Sequence, residues 1–215
     1  MKKNKAILVL GGLVLITVTA CMHLGTSTST RFYLLESMGA AEVISTGKLE
    51  TAQLSIGVGP VTIPAYLDRP QIVTRIDGHE LLVNDFHQWA EPLEANITRV
   101  MAENLALSTG VQNIHPHPWA RTAAIDIEAA MDVLRFDADA DGQVTLSVVW
   151  RIVDSEMHRQ LIEKRATITP PSNGTDTAHV VEAMSAALSG LSQEITAALR
   201  DVSYGDPDAL LPEGS

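Results

Sequence analysis

A chain of 215 residues with 46% hydrophobic content, 4% aromatics and a mean hydropathy of +0.11 is enough for one globular domain with a sizeable core. The same figures exclude a protein that crosses a membrane many times. A formal charge of −11 argues against nucleic acid as a partner, and against the whole domain lying flat on anionic headgroups.

The only long apolar run, Ala6 to Val18, follows Lys2, Lys3 and Lys5. It is shorter than the ~20 residues a spanning helix needs and has the charged start and short apolar stretch of a secretory signal. Residues 1–20 are therefore expected to be removed, together with three lysines, which leaves a still more acidic chain. Val18-Thr19-Ala20-Cys21 has the form of a bacterial lipobox, and Cys21 is the only cysteine. A lone thiol in an exported chain is otherwise a reactive liability. As a new N-terminus carrying diacylglyceryl and an N-acyl chain, it becomes an anchor of several acyl chains, which binds stably where a single chain binds marginally. Met22, in place of an Asp, resembles the sorting position of outer-membrane lipoproteins. His23 to Thr30 is small and polar, so residues 21–30 read as lipidated N-terminus and flexible tether.

Arg31 to Glu36 predicts a first strand, and Met38 to Gln53 a loop or irregular connection. In Leu54-Ser55-Ile56-Gly57-Val58-Gly59 the apolar residues alternate, the period of a strand packed on one face, which Pro60 is expected to end. Ile63 to Pro70 crosses to a second run, Gln71 to Ile76; Asp77-Gly78 then predicts a hairpin with strands near 71–76 and 80–85. From Asp85 the period changes. Trp89, Leu93, Ile97, Val100, Met101 and Leu105 share one face at helical spacing, with Pro92 in the first turn and an end near Gly110. A short strand at Val111 to Ile114 leads to a proline-stiffened loop, His115 to Trp119. Strands follow at Ala124 to Phe136, Val144 to Val153 and Gln160 to Ile168, the first two joined by a turn at Asp139 to Gly142. Asp176 then caps a helix whose Val181, Met184, Leu188, Leu191, Ile195 and Leu199 form one stripe. The pattern predicts a single α/β sandwich-like domain over residues 31–202, with a mixed, largely antiparallel sheet packed by two main amphipathic helices, and a mobile tail at 203–215.

Gly57-Val58-Gly59-Pro60-Val61-Thr62-Ile63-Pro64-Ala65-Tyr66-Leu67-Asp68-Arg69-Pro70-Gln71-Ile72-Val73-Thr74-Arg75, followed by Phe86-His87-Gln88-Trp89-Ala90-Glu91-Pro92-Leu93, resembles the PqiC-type (YmbA-like) family of ABC-type transport auxiliary lipoproteins. Phe32-Tyr33-Leu34-Leu35 resembles the strand that opens the family's folded domain. The resemblance runs over roughly residues 18 to 200, is strongest from 54 to 107 and weakens in the last third.

The chemistry-bearing residues point away from catalysis. There is no G-x-S-x-G elbow, no P-loop and no dinucleotide fingerprint, and acylation consumes the one thiol. Asp137-x-Asp139-x-Asp141-Gly142 imitates the start of a calcium loop, but Val148 stands where a bidentate Glu is required, so solvated carboxylates at a hairpin tip are expected. His115 and His117 offer two imidazoles without a third ligand, and read as a structural or surface loop rather than a metal site. Arg69 and Arg75 match the resemblance and fit two roles. They can clamp an acidic partner bidentately, or pair internally with Asp68, Asp85 or Glu91. Tyr66 and Trp119, being in loops, are interface candidates, and Trp89 and Trp150 core candidates.

The resemblance implies a non-enzymatic outer-membrane lipoprotein of an inter-membrane lipid transport system, without cofactor beyond the covalent lipid on Cys21. It implies an MCE-domain, periplasm-spanning partner, and a ring of identical subunits that docks the end of that partner's tube. Tyr66, Arg69, Arg75 and Trp119 are the partner-binding candidates. Two other readings stay open: a module that itself holds acyl chains between sheet and helices, and a hydrolase using a metal at the histidine loop.

Overall fold

The computed structural model describes residues 29–39 and 54–204. The predicted signal and Cys21, most of the loop before Leu54, and nearly all of the predicted tail lie outside the described residues.

The fold is built on a long meander. Strands β6 (Ile127–Asp139), β7 (Val144–Asp154) and β8 (Arg159–Ile168) pair antiparallel in sequence order. The alternation read in β7 is realised fully: Val144, Leu146, Val148, Trp150 and Ile152 are all at 0% exposure. Their cross-strand partners on β6, among them Phe136, Val133, Met131 and Ala129, extend the same buried face. The opposite face is polar, where Arg151 bonds Asp132 at 2.7 Å, and Thr62 donates to the same carboxylate. At the β6–β7 turn, Asp139 Oδ1 accepts the amides of Asp141 and Gln143, and Gly142 takes φ 78°, a conformation that favours glycine.

The other edge of β6 carries two strands end to end. Strand β2 (Ser55–Thr62) runs parallel to its first half, and β3 (Gln71–Arg75) meets its last residues through Thr74↔Ala138 and Arg75↔Asp139. Beyond β2 lies β5 (Asn113–Pro116), parallel; beyond β3 lie β4 (Leu81–Trp89), antiparallel, and β1 (Arg31–Tyr33), parallel to β4. The sheet is thus mixed, as expected. The antiparallel pairings include its longest ladders, while β1, β2 and β5 join it through parallel ones.

Two helices cover the apolar face. Helix α1 (Leu93–Thr109) buries Leu93, Ile97, Val100, Met101 and Leu105 and ends at Gly110, left-handed at φ 74°, whose N–H reaches Ala106 O. Helix α2 (Thr177–Tyr204) buries Met184, Leu188, Leu191, Ile195 and Leu199. At its start, Asp176 Oδ1 accepts the amides of Ala178 and His179, the predicted cap. No helix among the described residues is long and apolar enough to cross a membrane.

Several boundaries differ from expectation for physical reasons. Pro60 does not end β2; the strand continues to Thr62 through a register shift between Val58 and Val61, an irregularity in which a proline's missing N–H is tolerated. Asp85 to Trp89 extends β4 instead of opening the helix, which begins at Leu93 after Pro92. Trp89 is buried from the strand side, in line with the helix stripe, so the two periods coincide there. Strand β5 is displaced to Asn113–Pro116, and β6 starts and ends three residues later than predicted.

Candidate functional site

The crossing segment from Ile63 to Pro70 is the part of the domain that is neither strand nor helix yet is firmly fixed, and Asp137 fixes it. This carboxylate lies in β6 between Phe136 and Ala138 and has no exposure. Tyr66 donates its hydroxyl to Oδ2 at 2.8 Å. Arg75, at the end of β3, donates to both carboxylate oxygens at 3.2 and 2.9 Å, and Arg135, two residues back on β6 and hence on the same face, donates to Oδ1 at 2.8 Å. The Arg75 guanidinium also sits 5.9 Å from the Tyr66 ring centre, within cation–π range. One buried acid therefore ties crossing, β3 and β6 together.

The electrostatics follow from that arrangement. Burial alone pushes the Asp137 carboxyl up, but the hydrogen bonds from Arg75, Tyr66 and Arg135 outweigh it and hold the group below the usual carboxylate range. Burial, then the bond to Asp137 and its charge, push the Tyr66 phenol up to about 12. Tyr66 remains a neutral donor throughout the physiological range.

These contacts sort the predicted residues. Arg75 pairs internally, but with Asp137 and not with Asp68, Asp85 or Glu91. Tyr66 is half-buried with its hydroxyl turned inward. Asp137, expected among solvated carboxylates at a hairpin tip, is instead interior; the tip itself is Asp139 to Gly142. Trp119 is half-buried, its ring packed over Gly57, where a Cβ would come within 2.9 Å of it, and edge-on to His117 at 5.2 Å. His117 in turn covers Gly59, which has φ 119° and a Cβ position only 2.6 Å from the His117 Cβ. The glycines of β2 are thus the floor on which the histidine–proline loop rests. Among the described residues, no three His, Cys, Asp or Glu side chains gather as a metal ion would require.

Arg69 differs from the other three candidates. It is exposed, at the rim of a shallow groove formed with Asp68, Pro70, Trp89, Glu91 and Pro92. Two backbone bonds hold the groove: Arg69 N–H to Leu67 O at 2.8 Å and Trp89 N–H to Pro70 O at 2.7 Å. Around the corner, Arg99 of α1 bonds Glu91, Glu103, Asn96 and the carbonyl of Leu35, and Asn104 Oδ1 accepts the Met38 amide at 2.7 Å. Arg135, Arg99 and Asn104 carry no motif in the sequence, and Asp137 reads there only as part of a calcium-loop-like hairpin tip. The available signal was Arg135-x-Asp137 within an otherwise apolar strand.

The profile of the ABC-type transport auxiliary lipoprotein component matches residues 33–196. The chain belongs to this family. A comparison with curated proteins returned no match. Among solved structures, one uncharacterized protein superposes with a TM-score of 0.65 at 16% identity, over 80% of this chain and 99% of its own. Protein XCC0632 from Xanthomonas campestris gives a TM-score of 0.62 at 20% identity, over 80% of this chain and 96% of its own. At such identities the two share the fold. The crossing, its Asp137 hub and the Arg69 groove all fall within the family's matched span.

Proposed function

We propose that this lipoprotein is the non-enzymatic, outer-membrane subunit of an inter-membrane lipid transport system. It is anchored by acylated Cys21, and as a ring of identical subunits it docks the end of a periplasm-spanning MCE-domain protein. Family membership supports the transport role. The observation that favours docking at the crossing is the contrast between a rigidly held segment and the exposed cation it carries: Arg69 has the charge and reach to clamp a carboxylate on the partner bidentately. Tyr66 and Arg75 then support the surface from behind, and Trp119, packed over Gly57 in the histidine–proline loop, is a further contact candidate. The reading in which the domain itself carries acyl chains needs a hollow interior. The space between sheet and helices is occupied by Trp150, Phe136, Met131, Leu188 and Ile195, each at 1% exposure or less, which favours docking.

The test is to isolate the acylated protein from membranes in mild detergent and identify the co-purifying proteins and lipids by mass spectrometry. An MCE-domain protein in the eluate, lost on Arg69→Glu, supports the reading. Stoichiometric phospholipid with no such protein replaces it by the lipid-carrying one.

A further inference from the structure

Three large apolar side chains are left in solvent where the folded domain begins: Phe32 at 64% exposure, Leu34 at 46% and Phe86 at 47%. Strand β1 lies at the edge of the sheet, parallel to β4, with Phe32 opposite Gln88. Phe86 lies two residues before Gln88, in the stretch of β4 where the register with β3 shifts between Asn84 and Gln88, and so sits beside the position that pairs with Phe32. The interleaved residues meet the needs of the fold. Trp89 and Leu35 are buried, and Tyr33 packs against the core while its hydroxyl meets His87 Nδ1 at 2.7 Å. Packing among the described residues therefore does not account for phenylalanine at 32 and 86.

Chain geometry says what lies near them. Nine residues lie between Cys21 and Arg31, and the ten residue steps from one to the other span no more than about 36 Å when fully extended. Resting on the reading of Cys21 as acylated, the β1–β4 edge is the part of the domain that the anchor reaches first. We propose that Phe32, Leu34 and Phe86 form a second membrane contact beside the anchor. They seat at the headgroup–acyl boundary of a phospholipid surface and fix the orientation in which the rest of the domain faces the periplasm. The exposed charges nearest the patch in sequence are Arg31, Glu36 and Asp85, two acids against one base, and Arg31 alternates with Phe32 onto the other face of β1. The contact is accordingly driven by apolar area and changes little with salt.

Because Cys21 is the only cysteine and acylation consumes it, a single new thiol can be labelled cleanly. The acylated full chain carrying Phe86→Cys is labelled with an environment-sensitive NBD probe and reconstituted on phosphatidylcholine vesicles. Met157→Cys, at the 67%-exposed turn between β7 and β8, serves as the reference. The expected result is a blue shift at position 86 that is quenched by doxyl-labelled phospholipid and persists at high salt, with a solvent-like signal at position 157. Equal, solvent-like signals at both positions on vesicle-bound protein overturn the contact and leave the anchor standing. Shielding at position 86 that grows with protein concentration and ignores the lipid quencher also overturns it, and assigns the patch to contacts between copies. An intact mass without acyl chains, with protein that does not float with vesicles, removes the anchor and this contact with it.

Discussion

The β6–β7–β8 meander under α2 and the wing formed by β1, β4, β3 and the crossing belong to one sheet and one core but differ in the balance of forces that hold them. The meander is joined by long antiparallel ladders and, along β6 and β7, by side chains at or near zero exposure. The wing meets β6 at only two registered positions; a smaller set of buried apolar side chains, Leu35, Leu67, Ile72, Val73 and Trp89, joins it to the core, and polar links complete the attachment, Asp137 to Tyr66, Arg75 and Arg135 on one side and Arg99 to Leu35 and Glu91 on the other. Hydrophobic burial is non-directional and spreads its contribution over many residues. A buried hydrogen-bonded acid concentrates its contribution on one, because removing it leaves its donors unsatisfied. The meander should therefore fail as a whole, and the wing locally.

The largest expected effect is in the meander. Trp150→Ala, at 0% exposure, should lower stability by about 3–5 kcal/mol and shift a single cooperative urea transition. Asp137→Ala comes next. Breaking a buried ion pair costs ~3–5 kcal/mol, and the partial solvent access of both arginines reduces this to about 2–4. Its signature is spatial: amide hydrogen exchange should accelerate over 63–76 while β7 and β8 stay protected. Uniform acceleration throughout would show that the two regions are one cooperative unit.

The hub also sets two pH windows. Asp137 has its folded-state value held below the ordinary one, so its contribution is complete above the unfolded carboxylate range and is lost as pH falls through the folded value. Tyr66 is shifted the other way, so its contribution is complete below the ordinary phenol value near 10 and is lost as pH rises through about 12. In denaturant titrations, Tyr66→Phe should remove the alkaline loss and leave a smaller acid loss carried by the arginine pairs. Asp176→Ala, which removes the cap of α2, should cost about 1 kcal/mol. Arg69→Glu should stay within about 0.5 kcal/mol of the parent, as exposed substitutions do, and act on binding alone.

The same division explains what the sequence disclosed. The meander and both helices were legible because burial imposes a period, visible in Val144 to Ile152 and in the stripe from Val181 to Leu199. At the wing, Trp89 satisfies the strand and the helix pattern at once, so periodicity alone ends β4 at Asp85, four residues before its actual end. Pro60 read as a stop because a register shift leaves no mark in composition. The partner of Arg75 could not be found by proximity in sequence, since Asp137 lies 62 residues away and shares its motif with surface carboxylates. Of the four candidate contact residues, the structure leaves Arg69 exposed and turns Tyr66 and Arg75 to an internal use, a distinction that needs coordinates.

The claim that the crossing is a docking surface is tested most directly by photo-cross-linking in cells. A photoreactive amino acid replaces Arg69 in one strain and Met157 in another, both with Cys21 intact. An adduct between position 69 and an MCE-domain protein, absent from position 157, is the predicted result. Efficient adducts from position 157 with none from position 69 would contradict the account and move the docking face to the β7–β8 end of the sheet.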